Sequence, residues 1–115
     1  MVACGLLGPD RTEFVIRVTS IEAPDTIATT APLTARFSGP IGHDQCSYLD
    51  RVEKRLTANT LELRFHGVRE VGGYCLMAVA VLDHEVTVAP PVGDPFTIRV
   101  LQPDGVPLEK IVRVR

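Results

Sequence analysis

Apolar residues in this chain recur at every second position, in short bursts separated by turn residues, and this pattern constrains the fold more than any other feature. Leu33, Ala35 and Phe37 alternate with Thr34, Arg36 and Ser38, and Leu61, Leu63 and Phe65 alternate with Glu62, Arg64 and His66. Phe96, Ile98 and Val100 alternate with Thr97, Arg99 and Leu101. Successive side chains of a strand point to opposite faces, so each burst predicts a strand with one buried side. After the turn residues Pro103-Asp104-Gly105, Val112 and Val114 are expected to face in, and Arg113 and Arg115 out. No stretch carries a capped apolar stripe at helical spacing.

The remaining segments are less regular. Phe14 to Ser20 is rich in β-branched residues and reads as a first strand, followed by the turn residues Pro24-Asp25. Gly39-Pro40 is expected to end the strand that begins at Leu33. In Cys46 to Leu56 the alternation would put Asp50 and Lys54 on the same face as Cys46, Tyr48, Val52 and Leu56, and a bulge near Asp50 would repair it. Thr57-Ala58-Asn59-Thr60 predicts a hairpin turn, with Asn59 able to adopt a left-handed conformation. Cys75 to Leu82 is apolar on both faces and is expected to be a central strand covered on both sides. Val86 and Val88 lead into Pro90-Pro91, which stops further pairing. About seven short strands punctuated by turns predict an all-β antiparallel sandwich or barrel.

With 115 residues the chain has room for one core, expected to span residues 13–115. Its apolar runs fall far short of the ~18–20 consecutive residues a spanning helix needs. A net charge of -2 with scattered Lys and Arg residues gives nucleic acid no electrostatic footprint, and two Tyr and four Phe without Trp offer no stacking platform.

Val2-Ala3-Cys4-Gly5 resembles the cleavage region of a bacterial lipoprotein signal peptide, in which small residues precede a cysteine that receives a diacylglycerol. Met1 stands where that motif carries Leu, as in a chain started inside the lipobox. The resemblance implies lipidation of Cys4, residues 1–12 acting as truncated lipobox and short tether, and an exported protein held in the cell envelope by its lipid. An exported setting also bears on the other two cysteines. Cys46 and Cys75, 29 positions apart, are expected to form a disulfide there, whereas in a cytosolic protein they would be two buried thiols.

Cys46-Ser47-Tyr48-Leu49-Asp50-Arg51-Val52-Glu53, Asn59 to Leu63, Gly73-Tyr74-Cys75 and Gly93 to Val100 together resemble immunoglobulin-like domains of small bacterial envelope lipoproteins. The likeness implies an immunoglobulin-like β-sandwich of about seven strands and carries over no functional residue.

Chemistry is sparsely signposted. There is no Gly-x-Ser-x-Gly around Ser20, Ser38 or Ser47 and no His-Glu-x-x-His, so no catalytic residue and no cofactor is expected. Cys75, Met77 and His84 superficially resemble a blue-copper set, but Met77 precedes His84 and Cys75 is better spent in a bridge. His66 is expected to face outward on a strand, His43 and His84 to lie in loops, and Asp83 and Glu85 to share a solvated strand face. The expected function is a non-catalytic envelope module that binds a protein or glycan through loops or an edge strand. Two loops are the first candidates: His66 to Tyr74, with His66, Gly67, Arg69, Glu70 and Tyr74, and Ala89 to Pro95, with Pro90, Pro91 and Asp94. A protease inhibitor presenting one of these loops, or a cupredoxin-like metal carrier, are the alternatives.

Overall fold

A computed structural model describes residues 10–115, and among them all regular structure is β. The strands are β1 (Asp10–Val15), β2 (Ser20–Glu22), β3 (Thr26–Ile27), β4 (Leu33–Gly42), β5 (Ser47–Leu56), β6 (Thr60–Val71), β7 (Ala80–Val88), β8 (Phe96–Val100) and β9 (Leu108–Val114). They form two packed sheets, so the chain is an all-β sandwich, with nine strands among the described residues where about seven were expected. In the larger sheet the order is β1-β6-β8-β9-β3, with β5 on the other side of β6. The smaller sheet has the order β2-β4-β7.

The alternating residues form the core between the sheets. Leu33, Ala35 and Phe37 of β4 face Leu61, Leu63 and Phe65 of β6, and Phe96, Ile98, Val100 and Val112 are fully buried beside them. Phe37 and Phe65 join the two sheets with ring centroids 5.3 Å apart, a contact that adds ~0.5–1.5 kcal/mol to the area the rings bury.

The expected first strand is divided between the sheets. β1 pairs antiparallel with β6 as far as Val15, and β2 pairs with β4 from Ser20. Between them the chain crosses the sandwich, burying Ile16 and Val18 on the way. At the crossing the Gln102 side-chain amide takes the place of a neighbouring strand: its Oε1 accepts the Val18 N–H at 3.0 Å and its Nε2 donates to the Val18 carbonyl at 2.6 Å. Alternation persisted through Phe14 to Ser20 because burial persisted, although the pairing partner changed.

Two other segments also depart from expectation. β4 does not end at Gly39-Pro40 but runs to Gly42 through a register shift. β2 stops opposite Ser38, so beyond that point β4 pairs only with β7, and a proline is tolerated there. Cys75 to Leu82 is not a central strand. Residues 74–79 are irregular, β7 starts at Ala80, and Leu76, Met77, Val79 and Val81 are exposed. The central position belongs to β6, whose twelve residues pair with β5 on one side and with β1 and β8 on the other.

The bulge expected near Asp50 is present, between Leu49 and Arg51. The β5–β6 hairpin closes with the Thr57 N–H donating to the Thr60 carbonyl at 2.9 Å. Asn59 does not use the left-handed region, since no non-glycine residue among those described has positive φ. Gly105 (φ +84°) does use it, in the β8–β9 turn, where a side chain would be strained.

Candidate functional site

Most of the residues expected in the first loop lie instead in β6, which extends to Val71. Gly67 is buried, and a Cβ added there would lie 2.6 Å from the Phe14 ring and 2.9 Å from Ile16. His66 does face outward as expected, with its Nε2 2.5 Å from Glu53 Oε1, a contact that holds the Glu53 carboxyl below its ordinary range. Arg69 donates from both terminal nitrogens to Asp44, at 2.7 and 3.1 Å, and lowers the Asp44 carboxyl. Glu70 accepts the Tyr48 hydroxyl at 2.5 Å and lies 3.5 Å from Arg11. These side chains are occupied in holding strands together, and of that set only Tyr74, 84 % exposed, projects from an irregular segment.

The second loop is present but tethered. The Gly93 N–H donates to the Ala58 carbonyl at 2.6 Å, and Asp94 Oδ1 accepts the Val114 N–H at 2.8 Å and the Arg113 Nε at 3.1 Å. Pro90 and Pro91 are exposed. Cys4 lies outside the described residues.

Cys46 and Cys75 form the expected disulfide, with Cα atoms 5.4 Å apart. Around it Asp44 accepts the Cys46 N–H at 3.1 Å, and Gln45 Nε2 donates to the carbonyls of Ala78 (2.7 Å) and Val79 (3.1 Å). The bridge and Gln45 thus fix the irregular segment that delivers the chain to β7. Asp44, Cys46 and Cys75 bring ligand-type atoms within 4.8 Å of one another, but the two sulfurs are bonded to each other and offer no thiolate. The same bond takes Cys75 out of any set with Met77 and His84. His84 is not in a loop: it lies in β7, half-buried, with its ring edge-on to Phe65 at 5.7 Å.

What the structure brings together, and the sequence reading did not single out as a site, is the outer edge of β7. Its nine residues pair with β4 on one side only, and among the described residues no backbone or side-chain group bonds to the other side. Ala80, Leu82, Val86 and Val88 are buried, whereas Val81, Asp83, Glu85 and Thr87 are exposed. Next to the start of this edge, between β7 and β5, an open groove of about 410 Å³ is lined by the apolar Ile41, Leu49, Val79 and Val81 and by the polar Gln45, Ser47, Tyr48 and Asp83. On the outer face Arg36 of β4 donates to both Asp83 oxygens at 2.6 and 2.7 Å, which holds the Asp83 carboxyl low and the guanidinium pKa high. With Glu22 and Glu85 nearby, this sheet presents three carboxylates and one guanidinium. An unpaired strand edge is a template for another strand, and a flanking groove accepts alternate side chains from it.

Comparison with known proteins supplies no family: no protein-family model, no curated protein and no solved structure matches the chain.

The signal for the edge was present in the sequence. Asp83 and Glu85 were expected to share a solvated face and do so. The turn by which they belong to an edge strand lay hidden, because the preceding apolar run suggested burial on both sides.

Proposed function

We propose that this chain is a non-catalytic, exported binding module of the bacterial cell envelope, immunoglobulin-like in type and anchored through a lipid on Cys4, that engages a protein along the open edge of β7. The observation that carries the reading is the nine-residue strand edge, regular from Val81 to Val88, beside a groove of mixed apolar and polar lining. Strand addition uses main-chain hydrogen bonds for affinity and side-chain pockets for selectivity, and both parts are in place. A disulfide between Cys46 and Cys75 suits an oxidising compartment.

The test uses two forms of the chain as bait in an envelope extract, the wild type and Val81→Lys, which places a charge at the mouth of the groove. We expect a protein retained by the wild type and lost from the variant, with amides of β7 becoming protected from exchange when that protein is added. Equal retention by both forms, with no change at β7, would overturn the reading.

A further inference from the structure

We infer that the strand received by the β7 edge is a basic one: an extended protein segment with apolar residues on its inner face and Lys or Arg on its outer face. This rests on the edge reading above and adds the chemistry of the occupant. A strand laid beside β7 would have alternate side chains directed at the seam between the sheets, where Ile41 of β4 and Leu49 and Val52 of β5 are half-buried against the core beside the inward-facing Ala80 and Leu82. Apolar side chains fit that side. The outer side chains would lie beside Asp83 and Glu85, on a sheet face whose charge is dominated by carboxylates. Opposite charges across a strand pair attract and like charges repel, so basic residues are selected there and acidic ones rejected.

The same charges argue against a second copy of this chain as the occupant. If β7 paired antiparallel with its own copy about Asp83, His84 or Glu85, the facing pairs would be Asp83 with Asp83, Asp83 with Glu85, or Glu85 with Glu85. Each central register that keeps the buried face buried therefore sets carboxylate against carboxylate. The edge therefore distinguishes the two faces of an incoming strand, taking apolar residues inside and basic ones outside.

The probes are capped nine-residue peptides of alternating Val and Lys, the same with Glu for Lys, and the Val-Lys peptide N-methylated at alternate amides. Each is titrated into the labelled full chain, and amide shifts are read residue by residue. We expect the Val-Lys peptide to shift β7 amides with about tenfold tighter binding than the Val-Glu peptide, N-methylation to abolish it, and Glu85→Lys to reverse the preference. Equal binding of both peptides, still sensitive to N-methylation, would overturn the basic occupant while leaving the edge reading intact. No shift at β7 with any peptide would overturn both. Concentration-dependent broadening of β7 in the chain alone would assign the edge to a second copy and overturn the proposal.

Discussion

β5 and β7 are both open edges on the same side of the sandwich, yet they are built in opposite ways. β5 carries a bulge between Leu49 and Arg51, five charged residues among Asp50 to Arg55, and one of these, Lys54, on its core side. Bulges, edge charges and inward-pointing lysines are the means by which sheets refuse further strands. β7 is regular from Val81 to Val88, has no proline or lysine, and carries only Asp83 and Glu85 as exposed charges. The difference shows that an unpaired edge is not by itself an invitation. One edge is closed to any strand, and the other is closed only to strands of its own sign.

The sharpest way to break this contrast is to release the tie between the two edges. Reduction of the Cys46–Cys75 bridge, or its replacement by alanines, is expected to lower stability by roughly 3–4 kcal/mol, the chain-entropy value for a loop of this size. Urea unfolding followed by intrinsic tyrosine signal measures it, and hydrogen exchange should show residues 74–82 opening first. A loss of less than about 1 kcal/mol would mean that Gln45 and the core hold this segment without the bridge.

The seat of the β5 bulge comes next. Gly67 pairs with Leu49 at the bulge and lies under Phe14 and Ile16, so Gly67→Val must displace an aromatic ring. We expect a cost of roughly 1–3 kcal/mol by urea midpoint, with β1 detaching more readily from β6. An unchanged midpoint would show that Phe14 has room to move.

Acidification acts on both edges. The Asp44, Glu53, Asp83 and Asp94 carboxyls are all held below their ordinary range by the partners described above. A depressed carboxyl contributes stability that is complete above the unfolded-state pKa and is lost as pH falls through the folded-state value. Urea midpoints are therefore expected to be flat from pH 7 to about 5 and to fall below about 4. Protonating Asp83 also lessens the repulsion along β7, so light scattering should rise as the chain self-associates. A lowered pH that leaves scattering unchanged would detach Asp83 from edge defence.

The smallest effect on stability is expected from Lys54→Val, within about 0.5 kcal/mol, because the side chain is exposed. Its effect on β5 should be seen in sedimentation, as reversible association the wild type lacks. A monomeric Lys54→Val would place the defence of β5 in the bulge alone.

The sequence revealed burial well and pairing poorly. Leu33, Phe37, Leu63, Phe65, Ile98 and Val112 were readable as core because a strand face repeats every second residue. The bulge near Asp50 was readable because charges would otherwise have pointed inward. Nothing local distinguishes one strand crossing between sheets from one strand staying in a sheet, so Phe14 to Ser20 read as a single element. In Cys75 to Val79 composition misled: the segment is apolar, but the bridge at Cys75 and the Gln45 amide hold it across the outside of the molecule. The candidate site was missed for the same reason, since whether a strand lies at an edge depends on contacts between residues far apart in the chain.

The passage of the first strand from one sheet to the other has a mechanical meaning. A pull on the chain ahead of Asp10 meets three fasteners in series: the β1–β6 ladder, the two bonds between Gln102 and Val18, and the short β2–β4 ladder. The β1–β6 ladder takes the load first, and its six residues belong to the layer that contains the central strand. Only after it parts does tension reach the smaller sheet through Gln102. If such a pull is applied from the N-terminal side, β7 stays unloaded until the first ladder has failed, and its open edge keeps its shape under that load.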